Sequence, residues 1–252
     1  MYLTLNDITI YYEQYGKSNN TILILPGWGN TRETFHHVIN HFKEDYSIYI
    51  LDYPAMGKSP IPQKTLTIYD YAELIINFMK HNNIKNPIII AHSFGGRITA
   101  LLTAYYKIQT KKLILIDIAG IKPKKTLQKF IKEKTYKILR HLTKLLPKKH
   151  QEKARLKLLK VFASTDYNTL PLQMKETFKN IVNEDLTKYF YDIESESLII
   201  WGELDEDTPI KDAYKIKKAI KNSALIILKK ASHYSYLQYP LLINNIIYEF
   251  IK

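Results

Sequence analysis

Six short runs of mostly β-branched or leucine residues punctuate the chain: TILIL from Thr21, SIYIL from Ser47, PIIIA from Pro87, LILI from Leu113, SLIIW from Ser197 and ALIIL from Ala224. They are apolar at consecutive positions rather than alternate ones. A strand of that kind buries both faces, as strands of a parallel sheet covered by helices do. A seventh stretch, Asp7–Gly16, has strand composition and then a turn glycine. Between the runs lie stretches with helical spacing, Ile68–Asn82, Gly96–Lys107 and Tyr239–Lys252. In the first of these Tyr71, Leu74, Ile75 and Phe78 fall on one face. Short buried strands alternating with helices predict an α/β fold with a mainly parallel central sheet flanked by helices.

The alternation breaks once. After Gly120 no strand run appears for about 65 residues, and amphipathic stretches take its place at Thr126–Leu146, Glu152–Ala163 and Leu170–Val182. The expected organisation is a core of residues 1–120 and 186–252, with residues 121–185 inserted as a helical cap. In open α/β sheets ligands bind beyond the C-terminal ends of the strands, where such a cap would lie.

The formal net charge of +13 belongs to this insert. From Ile121 to Lys160 there are 15 Lys and Arg against two Glu, so the other residues balance. The plain reading is solvated lysines on the outer faces of the insert's helices. The functional reading is a surface that draws an acidic substrate, an anionic membrane or an acidic partner. Nucleic acid is not expected, because no aromatic–basic module accompanies the charge. The absence of cysteine removes disulfides, thiolate metal sites and cysteine nucleophiles. The N-terminal stretch lacks the features of a signal peptide, and no apolar run approaches the roughly 18 residues of a membrane span, so a cytoplasmic location is expected.

The run PIIIAHSFGGRIT places one serine, Ser93, between a buried strand and two glycines that open a helix. Strand, sharp turn and helix form a nucleophile elbow, usually written G-x-S-x-G, with Ala91 here in the first glycine position. A serine hydroxyl needs a base, and the base needs a carboxylate to orient it, in the chain order Ser, Asp or Glu, His. WGELDEDTP follows one later strand and supplies Asp205; KKASHYSYL follows the next and supplies His233. Asp207 competes with Asp205, and Asp117, after LILI, is a further alternative. The oxyanion needs two backbone N–H donors. Phe94, after the serine, is one; Trp28, in the PGWGN loop after an early strand, is the other.

His92 is expected to pack rather than react. His36, His37, His41, His81, His141 and His150 read as solvated, and none forms the helical pair with Glu that marks a zinc site. MGKS at Met56–Ser59 is no phosphate loop: Asp52 stands where the first glycine must be, and Pro60 and Pro62 block the following helix. Neither metal nor cofactor is expected.

Five segments together, PGWGNTRETF, LDYPAMGKS, AHSFGG, WGELDEDTP and ASHYSYLQYP, resemble the marks of the α/β-hydrolase superfamily over essentially the whole chain. LDYPAMGKS resembles that family's D-x-P-G-x-G-x-S loop with Ala55 for the first glycine, and Pro26 replaces the usual histidine before the oxyanion glycine. Within the superfamily the chain is similar to capped carboxylesterases of the pimeloyl-ester esterase and meta-cleavage-product hydrolase kind. The resemblance implies a cofactor-free serine hydrolase acting on a small acyl substrate. A carbon–carbon bond hydrolase would use the same residues, and a non-catalytic ligand receptor could keep the fold. A serine at the elbow, rather than an aspartate, argues against epoxide hydrolase or dehalogenase chemistry.

Overall fold

The computed structural model describes residues 1–122, 127–162 and 170–252. Eight strands form one sheet: β1 (Tyr2–Leu5), β2 (Ile8–Tyr15), β3 (Thr21–Leu25), β4 (Ser47–Asp52), β5 (Ile88–His92), β6 (Lys112–Ile116), β7 (Ser197–Gly202) and β8 (Ser223–Leu228). Their order across the sheet is β1-β2-β4-β3-β5-β6-β7-β8. The first two strands pair antiparallel, β2 pairs antiparallel with β4, and all remaining pairs are parallel. The α/β expectation therefore holds, with one strand, β1, beyond those read from sequence.

Among the described residues the α-helices are α1 (His36–Phe42), α2 (Ile68–His81), α3 (Phe94–Ala100), α4 (Leu127–Leu142), α5 (Lys148–Phe162), α6 (Met174–Asn183), α7 (Thr187–Phe190), α8 (Ile210–Ala219), α9 (Ser235–Gln238) and α10 (Pro240–Ile251). Because side chains alternate along a strand, each apolar run divides between two cores. Leu23, Leu25, Ile89, Ala91, Leu113 and Leu115 pack with Tyr71, Ile75 and Phe78 of α2, Ile98 of α3 and Ile216 of α8. Ile22, Ile24, Ile88, Ile90, Ile114 and Ile116 pack with Val38 and Phe42 of α1 and Ile243 and Ile247 of α10. Truncating one of these fully buried isoleucines to alanine costs about 2–5 kcal/mol.

The strand order reverses at β3. From β3 the chain goes to β4 on one side and then returns past β3 to β5 on the other. Connections leaving β3 and β5 diverge, and the crevice between them is where open α/β sheets bind ligands. The PGWGN loop leaves β3, and the turn carrying Ser93 leaves β5.

The chain divides into two compact units, Met1–Lys122 with Asn180–Lys252, and Pro123–Lys179. The break in strand–helix alternation puts these joints at 120/121 and 185/186. In the second unit α4 and α5 pack against each other. In the stretch Thr126–Leu146 the spacing sets Leu127, Phe130, Ile131, Ile138, Leu142 and Leu145 along one apolar face; positions 123–126 and 163–169, which fall inside the expected insert, lie outside the described residues, as do the side chains of Leu127, Phe130, Ile131 and Leu145. On that face Ile138 and Leu142 are exposed, 61% and 51%. Among the described residues no helix is long and apolar enough to cross a membrane.

Candidate functional site

Ser93 occupies the turn between β5 and α3 with φ 47° and ψ −111°, a conformation that L-residues seldom adopt. Holding it costs of order 1–3 kcal/mol, which the packing around the turn must offset. The two glycines make that packing possible. A Cβ on Gly95 would lie 2.0 Å from the Leu25 carbonyl oxygen, and one on Gly96 would lie 2.3 Å from Ile118 Cβ. The Ser93 carbonyl accepts from Gly96 N–H at 3.0 Å and Ala119 N–H at 2.9 Å, and Ser93 N–H donates to Ile116 at 3.2 Å. The turn is thereby tied to β6.

The hydroxyl so presented meets the imidazole of His233: Ser93 Oγ lies 2.9 Å from Nε2. On the other side His233 Nδ1 lies 2.9 Å from Asp205 Oδ2. A carboxylate only accepts, so Nδ1 carries the proton and the Nε2 lone pair faces the serine. Asp205 is buried and accepts three further bonds, from Asp207 N–H (2.9 Å), Thr208 N–H (2.8 Å) and Thr208 Oγ1 (2.6 Å). Asp207, the competitor, is exposed and faces Asp205 through its backbone N–H. Thr208, in the same WGELDEDTP segment, is a supporting residue that the triad order alone does not single out. Its carbonyl is held in turn by the indole N–H of Trp201 at 2.8 Å.

The two ionisable partners support each other. Burial raises the Asp205 pKa, but hydrogen bonds and charge from His233 and hydrogen bonds from Thr208 outweigh it, and the net shift is downward. Burial lowers the His233 pKa, but the Asp205 hydrogen bond and charge, with the charges of Asp207 and Asp117, leave it above the ordinary imidazole value.

His92 does more than pack. It is fully buried, and its Nε2–H donates to the His233 carbonyl at 2.8 Å. Its Nδ1 lies 3.4 Å from Asn30 Nδ2. One side chain therefore joins the loop after β3 to the turn bearing His233. Burial first, then the nearby His233, pushes its pKa down to about 3, so the ring stays neutral. Trp28 and Phe94, the expected oxyanion donors, are neighbours with ring centroids 5.2 Å apart, edge to face. Met56 reaches the same loop, its Sδ accepting Gly29 N–H at 3.2 Å. Met56 sits in the LDYPAMGKS loop, which Asp52 gathers by accepting Lys58 N–H at 2.9 Å and Ser59 Oγ–H on its carbonyl at 2.6 Å.

Asp117, the third carboxylate, directly follows β6 and is buried. It touches Gly202 and Ser235 rather than the imidazole. Burial pushes its pKa up to about 7, opposed by the bonds from Ser235 and Gly202. Among the described residues the group whose donor atoms could surround a cation is Asp205, Asp207 and His233, but Asp205 and His233 already bond one another. One histidine departs from expectation. His37 is half-buried, stacked on Tyr236 at 5.9 Å, and burial lowers its pKa.

Residues 20–240 match the alpha/beta hydrolase fold family. The uncharacterized hydrolase YugF of Bacillus subtilis is 26% identical over 271 residues, spanning 99% of this chain and 96% of that protein. The pimeloyl-(acyl-carrier protein) methyl ester esterase of Wigglesworthia glossinidia brevipalpis is 27% identical over 264 residues, spanning 96% of this chain and 97% of that protein. The solved structure of a mutant meta-cleavage product hydrolase from Pseudomonas fluorescens superposes with a TM-score of 0.74 at 16% identity, over 99% of this chain and 96% of that one; this is a likeness of fold.

Proposed function

Because the chain belongs to the α/β-hydrolase fold family, we propose that it is a serine hydrolase cleaving a carboxylic ester through an acyl-enzyme. The observation that carries this reading is the unbroken relay from Asp205 to His233 to Ser93, two contacts of 2.9 Å ending on a serine held at a strained elbow. A binding protein has no use for a hydroxyl aimed at an oriented imidazole. The similarity over nearly the whole chain to a pimeloyl-(acyl-carrier protein) methyl ester esterase supports ester cleavage as well.

In this mechanism Ser93 Oγ attacks the acyl carbon while its proton passes to His233 Nε2. The carbonyl electron pair moves to oxygen, and the oxyanion is held by the backbone N–H groups of Trp28 and Phe94. When the tetrahedral species collapses, the bond to the leaving oxygen breaks and His233 returns the proton to it as the alcohol departs. Asp205 remains ionised throughout and offsets the imidazolium charge. Water, deprotonated by His233 in the same way, then attacks the acyl-enzyme, frees the carboxylic acid and restores Ser93.

The test is turnover of p-nitrophenyl esters of graded acyl length. Ester hydrolysis that falls about 10³-fold or more in Ser93→Ala supports the reading, since nucleophile and base act as a unit. Undiminished turnover in that variant refutes it. A 2-hydroxy-6-oxo dienoate in the same panel reports carbon–carbon cleavage by the same residues.

A further inference from the structure

Asp117 is the buried carboxylate that the acyl-transfer steps leave unused. Both of its oxygens are engaged. Oδ1 accepts Gly202 N–H at 2.7 Å; Oδ2 accepts Ser235 Oγ–H at 2.6 Å and Ser235 N–H at 3.2 Å. Its own N–H donates to the Ile200 carbonyl at 3.0 Å, and its carbonyl lies 3.1 Å from Thr208 Oγ1. The Gly202 and Ser235 N–H groups can only donate, and the Ser235 hydroxyl donates to the carboxyl when it is ionised.

The partners are not scattered. Gly202 is the last residue of β7, three before Asp205, and Ser235 is two after His233 and opens α9. A single side chain from the end of β6 thus clasps the root of the acid's loop and the turn of the base. A Cβ on Gly202 would lie 2.3 Å from the Ser232 carbonyl oxygen, so these two segments already run in close contact there.

We propose that Asp117 is a positioning residue for His233: it holds the base's turn to the end of β7 through Ser235 and Gly202, and when ionised its charge favours the imidazolium that forms during turnover. This rests on the reading of His233 as the base. Among the described residues, the charged and titratable groups facing the imidazole are Asp205 and Asp207 from the loop after β7, Asp117 just after β6, His92 from β5 and the neighbouring Tyr234, its ring edge to face at 5.5 Å. The carboxylates among them favour the charged ring, so removing one makes His233 easier to deprotonate.

An amide cannot replace this carboxylate fully. In Asp117→Asn, with the amide oxygen toward Gly202, the new side chain would turn an NH₂ group against Ser235 N–H, and the charge is gone in either orientation. Ser235→Ala is the milder change, removing one donor and keeping the charge. The experiment compares wild type, Asp117→Asn, Ser235→Ala and Ser235→Thr by circular dichroism, by kcat and KM on p-nitrophenyl acetate across pH, and by NMR titration of the His233 imidazole. In Asp117→Asn, kcat is expected to fall about 10- to 100-fold with KM within about twofold. Its His233 titration, and the acid limb of kcat/KM, should move to lower pH. Ser235→Ala should lose less than about tenfold in kcat, in line with one charge-assisted hydrogen bond, without moving the titration. Ser235→Thr should recover the loss. A folded Asp117→Asn protein with wild-type kcat and an unmoved imidazole titration overturns the proposal. If Asp117→Asn does not fold, Ser235→Ala decides: unchanged kcat overturns it, and a loss restored by threonine supports it. A wild type without Ser93-dependent turnover sinks the base reading instead, and the NMR titration separates that outcome from failure of the Asp117 proposal.

Discussion

Replacing Asp205 by asparagine changes one oxygen to NH₂ at the most heavily bonded carboxylate in the site. Its Oδ1 receives the N–H groups of Asp207 and Thr208, and its Oδ2 receives His233 Nδ1–H and the Thr208 hydroxyl. The amide has two ways to sit. With its oxygen toward the backbone donors, its NH₂ donates to His233 Nδ1, the ring proton is forced to Nε2, and a donor instead of a lone pair faces Ser93. With the amide flipped, NH₂ opposes two backbone N–H groups and two buried hydrogen bonds are lost. The first arrangement keeps the fold and disables the base. The corresponding change in a serine protease costs about 10⁴-fold, equivalent to about 5.4 kcal/mol at 1.36 kcal/mol per decade. Asp207→Asn removes only an exposed charge, with its backbone N–H still on Asp205, and should cost less than about tenfold. The assay is kcat/KM on one p-nitrophenyl ester for both variants, with circular dichroism to show that both are folded. If Asp207→Asn is as damaging as Asp205→Asn, the acid has been assigned to the wrong residue.

The acid limb of kcat/KM should lie above the ordinary imidazole value of about 6.5, because Asp205, Asp207 and Asp117 outweigh burial at His233; protonated His233 cannot accept the serine proton, so activity falls as pH drops through the raised pKa. A limb below about 6 contradicts that sign. Ala55 has φ 65°, which costs a residue with a Cβ about 1–2 kcal/mol, so Ala55→Gly should stabilise the protein by about 0.5–1 kcal/mol after the extra chain entropy, read from urea midpoints at constant m. A lowered midpoint refutes it. The exposed Ile138 and Leu142, beside the exposed Lys134, Lys137 and His141, should bind vesicles of anionic lipid at low ionic strength, with release at high salt and loss in an Ile138→Glu, Leu142→Glu double variant. Equal, negligible sedimentation with neutral and anionic vesicles leaves those lysines with solubility alone.

Much of this was legible in the chain because the informative residues are strand ends. Runs such as PIIIA announce a doubly covered sheet, and the residues just beyond them, Ser93, Asp205 and His233, fall at one edge by topology alone. β1 escaped because Tyr2–Leu5 is a four-residue edge strand with no apolar run, and α1 because His36 and His37 interrupt its pattern. The supporting contacts were less visible. Thr208, Ser235, Asn30 and Met56 lie inside the segments that carry the family resemblance, but their partners are set by tertiary distances that the segments alone do not give. His92 read as packing, yet its bond to the His233 carbonyl spans 141 positions. Asp117 was visible as a carboxylate at a strand end, but its partners were not, and they make it a holder of the base's turn rather than a substitute acid.

The central claim is that Ser93 is a nucleophile activated by His233 and Asp205. Intact-mass spectrometry after treatment with a fluorophosphonate tests it without knowledge of the substrate, since phosphonylation requires an activated serine. The expected result is a single adduct that peptide mapping places on Ser93, absent from Ser93→Ala and formed far more slowly by His233→Ala. No adduct on the folded wild type, or an adduct that persists in Ser93→Ala, contradicts the claim.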